Sequence, residues 1–202
     1  MHTLNEQYHI YNRGAHKAPI FLDKSDYQRF VALLYLANDT SRLVLAKIKP
    51  NDIFYRSRSP LVNIIVYCLM PNHFHILIRE KNERGIHVFI HKLITAYTMY
   101  YNRKYDHSGT IFQGQYKSKH INDDDYFRYL IQYIHLNPYG IEEPEMNKLT
   151  KNEHYPEAVA YSKKYEFSSF KDYLGEQRAQ ANILSMVEVS PQPASLSRGD
   201  LD

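Results

Sequence analysis

Hydrophobic and polar positions along the 202-residue chain follow two periods, which predict strands and helices in alternation. The predicted strands have alternating or continuous apolar residues and lie at 6–14, 61–70, 73–80 and the end of 109–121. The predicted helices have apolar residues three or four positions apart and lie at 25–39, 85–105 and 122–138. A turn at Pro71 and Asn72 separates the second and third strands, and Pro138 stops the last helix.

The element order β-α-β-β-α-β-α indicates the fold. It resembles the ferredoxin-like, split βαβ arrangement and predicts an α+β protein with an antiparallel sheet and helices packed on one face. Residues 40–60 are interpreted as a long loop and residues 141–158 as an exposed connection. We expect one domain over 1–140, a C-terminal extension over 141–175 that packs on it, and a flexible tail over 176–202.

Composition and charge narrow the function classes without choosing one. The chain has 44% hydrophobic and 23% charged residues, enough for a globular core, and its net charge of +3 permits a nucleic-acid partner without requiring one. The single cysteine excludes a disulfide framework. The N-terminal residues lack a signal-peptide core, and no run approaches the roughly 18 apolar residues that span a membrane. We therefore expect a cytoplasmic protein.

Two histidines interrupt the third strand, in the stretch MPNHFHILI. Side chains alternate along a strand, so His73 and His75 face the same side of the sheet and can chelate one divalent ion. A chain with this many histidines has roughly 0.6 His-x-His triplets by chance, so a hydrogen-bonded pair or a structural zinc site are alternatives. A second pair, His87 and His91, lacks the zinc-protease pattern, and we interpret it as solvated helix residues.

The helix over 123–137 has a polar edge beside its apolar stripe. Tyr126, Tyr133 and Asn137 lie along that edge, and the last two are neighbours because they are four residues apart. An amide oxygen is a suitable ligand for Mg²⁺ or Mn²⁺ beside two imidazoles. A tyrosine hydroxyl one turn away can approach a phosphate on the same ion. The alternative is that Tyr133 is an ordinary boundary residue of an amphipathic helix.

Four motifs occur in a characteristic order: YCLMPNHFHILI, GTIFQGQYKSK, YIHLNPYG and YEFSSFKDYLG. Over about residues 5–175 the chain resembles the REP-associated tyrosine transposases, which belong to the His-hydrophobic-His (HUH) single-strand nucleases. The resemblance implies a ferredoxin-like fold and divalent-metal-dependent cleavage of single-stranded DNA through a 5′-phosphotyrosine intermediate. It further implies His73, His75 and Asn137 as metal ligands, Tyr133 as the nucleophile, and Mg²⁺ or Mn²⁺ as the ion.

The resemblance also implies hairpin-containing single-stranded DNA as the partner and a monomer that uses its own tyrosine, with a dimer as the alternative. The chain departs from the family after the tyrosine helix, where Asn-Pro-Tyr-Gly lacks an arginine that family members often have. The long basic loop at 40–60 has no assigned role. A domesticated protein that binds structured single strands without cutting them is the alternative function.

Basic and aromatic residues around the predicted site are candidate DNA contacts. The candidates for the phosphate backbone are Arg13, Lys17, Arg103, Lys104, Lys117 and Lys119. The candidates for stacking on bases are Phe112 and Tyr116. The alternative for each cation is an ordinary solvated surface residue.

Overall fold

Four strands lie side by side in the computed structural model, which describes residues 2–44, 50–141 and 155–186. The strands are β1 Gln7–Arg13, β2 Val62–Met70, β3 His73–Glu80 and β4 Lys117–Ile121. Their order across the sheet is β2–β3–β1–β4, and all neighbours run antiparallel. Strands β1 and β3 are therefore central, which is the strand order of the split βαβ arrangement.

Helices follow the strands in the predicted succession. Within the described ranges the α-helices are α1 Lys24–Leu36, α2 Gly85–Tyr105, α3 Asp124–Leu136, α4 Tyr155–Lys164 and α5 Phe170–Tyr173. Short 3-10 turns lie at Ala15–Lys17, Pro50–Tyr55, Asn137–Ile141 and Ala179–Ile183. None of the described helices has the length and apolar character needed to cross a membrane.

Parts of three predicted segments lie outside the described residues. These parts are 45–49 of the loop, 142–154 of the connection and 187–202 of the tail. Residues 155–158, expected in the exposed connection, instead begin α4, where Ala158 is fully buried. The prediction missed this helix because its few apolar residues make only a small buried face.

Helices cover both faces of the sheet. Leu69 of β2 and Phe74 of β3 join α1 and α2 in one core, whereas Cys68 and Leu77 join Ile134 of α3 in a second core on the opposite face. The α+β class and the antiparallel sheet are confirmed. The expectation of helices on one face holds for α1 and α2 only, because β2 and β3 are apolar at both odd and even positions and need cover on both sides.

The C-terminal residues cover the free edge of β2. The backbone N–H of Leu69 donates to the carbonyl oxygen of Phe167 at 2.9 Å, and the N–H of Ser185 donates to the carbonyl oxygen of Ile64 at 2.7 Å. These bonds satisfy backbone groups that an edge strand would otherwise expose. Residues 179–185, expected in the tail, therefore contact the sheet, and the division of the chain at 140 and 175 stays a prediction.

The ends of α3 determine which of its residues meet the sheet margin. The carboxylate of Asp123 caps the first turn by accepting a hydrogen bond from the backbone N–H of Tyr126 at 2.6 Å. At the other end, Pro138 lacks a backbone N–H, and the chain enters a 3-10 turn. Asn137 therefore caps the end of the helix, four residues after Tyr133.

Candidate active site

The two histidines of β3 face the same side of the sheet, as predicted, and α3 covers that side. In the pairing of β3 with β2, His73 lies opposite Met70 and His75 lies opposite Cys68. On the other side of β3, both histidines pair with residues of β1. Their ring centroids are 5.0 Å apart and their planes are nearly perpendicular, at 87°. Phe74 between them is fully buried on the other face, and this anchor fixes the direction of both imidazoles.

Each of the two rings has a partner at its Nδ1 atom. The Nδ1 of His73 lies 2.7 Å from the amide oxygen of Asn72, and the Nδ1 of His75 lies 2.9 Å from the Nε2 of His9. An amide oxygen only accepts, so the His73 ring carries its proton at Nδ1. The Nε2 atom of His73 is therefore the one suited to bind a metal ion, and His75 presents its Nε2 in the same way when its Nδ1–H donates to His9.

Burial keeps these imidazoles neutral. Desolvation lowers the pKa of His75 well below its usual value, and the nearby His9 and His73 lower it further. Desolvation also lowers the pKa of His73, against the amide oxygen of Asn137, which accepts from the protonated ring and raises the pKa. The pKa of His9 falls to about 4 because of burial and, to a lesser extent, Lys119. Neutral imidazole is the form that binds metal ions.

Helix α3 brings a phenol and an amide to the histidines. The ring of Tyr133 lies 5.9 Å from the ring of His75, at 80°, in an edge-to-face contact. The side-chain amide of Asn137 is close enough to Tyr133 and to His73 to shift the pKa of each through hydrogen bonding. Burial raises the pKa of Tyr133, while the Asn137 bond acts in the opposite direction. The phenol is therefore protonated at neutral pH, and the four predicted residues lie together within one chain.

An open cavity of about 480 Å³ adjoins the histidine pair. Both His73 and His75 line it, and so do three of the predicted DNA contacts, Arg13, Lys17 and Lys117. All three cations are exposed. The cavity is therefore a positively charged approach to the imidazoles, and it meets the requirement of a site for a phosphate group.

The loop after β1 places two of these cations. A methyl group at Gly14 would lie 2.0 Å from the carbonyl oxygen of Ala18, so only glycine allows this tight turn. The N–H of Gly14 donates to the carbonyl oxygen of Asn72 at 2.8 Å, and the Asn72 amide donates to the carbonyl oxygen of Lys17 at 3.1 Å. These bonds attach the loop to the β2–β3 turn, beside the histidines.

The other predicted DNA contacts lie elsewhere. Lys119 is exposed on β4, with its ammonium 4.6 Å from the ring centroid of Tyr126. Tyr116 is half-buried and packs against the core. The prediction that Phe112 stacks on bases is wrong, because its side chain is only 1% exposed and belongs to the α1/α2 core. Phe112 therefore anchors the glycine-containing basic stretch in which it lies.

Lys104 and Arg103 do not line the cavity beside the histidines. The ammonium of Lys104 donates to the carboxylates of Asp23 and Asp26, at 2.7 Å each, and joins α2 to the start of α1. Arg103 lines a separate cavity in the α1/α2 layer. His87 and His91 are both exposed, which confirms their interpretation as solvated helix residues.

Sequence reasoning missed several residues of the site. His9, Asn72 and Gln113 contact the predicted residues, Gln113 by accepting a hydrogen bond from Arg13. The available signal for His9 was its place in the alternation of the first strand, on the same face as Tyr11 and Arg13. That signal becomes specific only once the register of β1 against β3 is known.

The donor set fits a divalent metal ion. Two neutral imidazoles with partnered Nδ1 atoms and one amide oxygen supply three neutral ligands, which leaves positions for phosphate oxygens and water. The described residues contain no group of three or more His, Cys, Asp or Glu that could hold a metal ion. The proposed ligand set of His73, His75 and Asn137 contains two histidines and one amide, so it falls outside that criterion.

A ferredoxin-like sheet with a His-hydrophobic-His pair that faces a tyrosine helix is the arrangement expected of a tyrosine transposase. Residues 53–137, which include the two histidines, Tyr133 and Asn137, match the family described as IS200-like transposases. The chain is similar in fold to a solved REP-associated tyrosine transposase bound to a REP hairpin. That match has a TM-score of 0.51 and 12% identity and covers 98% of this chain and 94% of the other.

No curated protein matches the chain at a significant level. The resemblance to the tyrosine transposases is nevertheless confirmed, by sequence over the matched segment and by fold over nearly the whole chain.

Proposed function

We propose that the protein is a metal-dependent single-stranded DNA endonuclease and transposase, which nicks and rejoins DNA through a 5′-phosphotyrosine intermediate. The observation that carries the proposal is the edge-to-face contact between Tyr133 and His75, whose ring centroids are 5.9 Å apart. The amide of Asn137, which shifts the pKa of both Tyr133 and His73, supports the same assignment. A nucleophile and the residues that would bind the scissile phosphate are thus neighbours in one chain.

His73, His75 and Asn137 would hold the ion, Mg²⁺ or Mn²⁺, through the two Nε2 atoms and the amide oxygen. A bound ion would neutralise the negative charge that builds on the non-bridging oxygens of the phosphate. Asn72 and His9 orient the two rings for that role through their Nδ1 atoms. Because the imidazoles are neutral at physiological pH, no proton has to leave them before they bind an ion.

Tyr133 is the proposed nucleophile. An unperturbed tyrosine has a pKa near 10, so fewer than about one phenol in a thousand is ionised at pH 7, and burial lowers that fraction further. The proton must therefore pass to solvent as the Oη–phosphorus bond forms. The phosphorus–O3′ bond breaks, the 3′ oxygen leaves as a hydroxyl after it gains a proton, and the 5′ phosphate remains on Tyr133.

The exchange of one phosphodiester for another makes the step reversible. A 3′-hydroxyl on the same or another strand can attack the phosphotyrosine, restore the phenol and reseal the DNA without ATP. Water is not a reactant in either half. Nicking followed by strand transfer is therefore the proposed reaction, and it meets the chemical requirement of transposition.

Single-stranded DNA with a hairpin is the proposed substrate. Arg13, Lys17 and Lys117 surround the cavity beside the histidines and would bind the backbone on both sides of the scissile phosphate. The solved structure with a similar fold is that of a transposase bound to a REP hairpin, which supports the choice of a hairpin. Paired bases in the stem would leave the flanking single strand free to enter the cavity.

Covalent adduct formation tests the proposal. A labelled hairpin oligonucleotide with single-stranded flanks is mixed with the protein and Mg²⁺ or Mn²⁺, and SDS-resistant adducts are resolved by electrophoresis. We expect an adduct from the wild type and none from Tyr133→Phe, which lacks the attacking oxygen. The matched control is Tyr129→Phe, one turn away on the same helix and stacked on Tyr133 at 6.1 Å. That variant keeps the proposed nucleophile and should form the adduct.

His73→Ala adds a second arm, because it removes a proposed ligand and keeps the tyrosine. We expect this variant to bind the oligonucleotide and form no adduct. If the wild type binds the oligonucleotide and forms no adduct with either ion, the protein is a non-cleaving binding module. If Tyr133→Phe forms an adduct as the wild type does, another residue is the nucleophile.

A further inference from the structure

A second cavity, of about 750 Å³, lies on the helical side of the molecule, away from the histidine pair. Its walls come from α1, α2 and the first residues of the loop after α1. We call this cavity the helix groove, and the residues that define it are Arg29, Arg42, Leu43, Lys92, Met99 and Arg103. Four of these six are basic, and the described residues that line the groove include no carboxylate.

The positive charge of the helix groove resides in its arginines. Among the described residues, no carboxylate forms an ion pair with the three guanidiniums. Arg29 is held 4.9 Å from the ring centroid of Tyr100. Lys92 instead donates to the carbonyl oxygens of Asp39 and Ser41, at 2.6 and 2.7 Å, and so holds the loop that forms one wall. Unpaired cations around one cavity attract a polyanion.

Part of the groove lining is apolar. Leu43, Ala96 and Met99 contribute to it, and Met99 is 68% exposed although it is a large hydrophobic residue. A DNA duplex presents only phosphates and sugars to such a surface, because its base faces are stacked inside. A single strand also presents the apolar faces of its bases. A lining that combines cations with apolar side chains therefore matches a single strand.

The groove begins at the end of the molecule where the candidate active site lies. Next to Arg103, the ammonium of Lys104 donates to the carboxylate of Asp23 at 2.7 Å. Two residues before Asp23, the N–H of Phe21 donates to the carbonyl oxygen of Pro71 at 3.1 Å. Pro71 starts the β2–β3 turn beside the histidines. From this end, the part of α2 between Arg103 and His91 extends about 18 Å along the groove.

We propose that the helix groove binds a single-stranded segment of nucleic acid, the flank of the DNA that occupies the candidate active site. The arginines contact its phosphates, and the apolar side chains of the lining receive base faces. The proposal rests on the proposed function in taking single-stranded DNA as the substrate. It adds a second contact surface, on the opposite face of the sheet from the histidine pair.

Binding of oligothymidylate by fluorescence anisotropy tests this proposal in the Tyr133→Phe background with EDTA, so the result does not depend on cleavage. The groove variant is Arg29→Gln with Arg103→Gln. The control variant is Arg56→Gln with Lys81→Gln, which removes the same charge from exposed positions outside both cavities. We expect the groove variant to bind about tenfold more weakly, with a salt slope smaller by about 1.4, and the control to bind as the parent.

Two outcomes contradict the proposal. The groove is not a binding surface if the groove variant and the control bind oligothymidylate equally. It is not specific for single strands if the groove variant loses the same affinity for a duplex of equal length. A wild type that forms no phosphotyrosine adduct would overturn the proposed function and leave this comparison of affinities valid.

Discussion

The Nε2 atom of His9 lies 2.9 Å from the Nδ1 atom of His75, so a histidine of one central strand orients a histidine of the next. Both side chains are buried, and their rings are stacked at 5.0 Å. A hydrogen bond at Nδ1 fixes the ring and directs Nε2 toward the space that faces Tyr133 and the cavity. Partners of this kind typically hold metal-binding histidines in place.

We expect His9→Phe to weaken Mn²⁺ binding about 10- to 100-fold, because the phenyl ring fills the space and cannot hydrogen-bond to His75. His9→Gln should restore part of the affinity, since its amide oxygen can accept from Nδ1. Electron paramagnetic resonance of free Mn²⁺ during a titration measures the affinity without any catalysis. The control is His120→Phe, an exposed histidine paired with Glu6. Equal Mn²⁺ affinity in His9→Phe and wild type contradicts the positioning role.

His135 makes stability depend on pH. It is buried on α3 with its Nε2 2.9 Å from the hydroxyl of Ser169, and burial lowers its pKa to about 3. In the unfolded chain a histidine has a pKa of about 6.5. Between these values the unfolded state binds more protons, so this contribution to stability is complete above about pH 6.5 and decreases as the pH falls toward 3.

Urea unfolding at a series of pH values measures this effect. We expect the midpoint of His135→Gln to fall less steeply with acidification than that of the wild type. His9, whose pKa is lowered to about 4, contributes with the same sign, so some pH dependence remains. The exposed His87 provides the control, and His87→Gln should keep the wild-type slope. Identical slopes for wild type and His135→Gln would show that His135 is not buried in the neutral form.

Phe112 distinguishes a core anchor from a DNA contact. Its side chain is buried among the α1/α2 core residues, so Phe112→Ala should lower the free energy of unfolding by about 3–5 kcal/mol. Tyr116→Ala, at the half-buried residue four positions later, should lower it by less. Chemical denaturation gives both values. A Phe112→Ala protein of wild-type stability and reduced DNA affinity would restore the stacking role.

Substitution of two adjacent cations at the end of α2 should change the free energy of unfolding by different amounts. Lys104→Met removes the ammonium from the fully buried carboxylate of Asp26 and should lower the free energy of unfolding by about 2 kcal/mol. Arg103→Met is the matched control at an exposed position, and its change should stay within about 0.5 kcal/mol. Thermal or urea unfolding compares the two. Equal stability of both variants contradicts a structural role for Lys104.

Local patterns predicted most of the elements and the direction of the key side chains. Helix α2 has the predicted bounds because its apolar stripe is long and regular. Alternation placed His73 and His75 on one face, and the helical period placed Tyr133 beside Asn137. These relations depend only on residues close in the chain, so they can be predicted from the sequence.

Relations between distant residues were not available from the sequence. The partnership of His9 with His75 depends on the register of two strands that are far apart in the chain. The packing of α3 on the opposite face from α1 and α2 depends on which side of β2 remained uncovered. The burial of Phe112 and the ion pairs of Lys104 likewise arise only when α1 and α2 meet the sheet.

The most direct test of the central claim is the identity of the residue that carries the DNA. Protein trapped with the hairpin oligonucleotide and Mn²⁺ is digested with nuclease and protease, and the modified peptide is sequenced by mass spectrometry. We predict a nucleotide phosphate on Tyr133. A nucleotide on another tyrosine, or on none, would contradict the account.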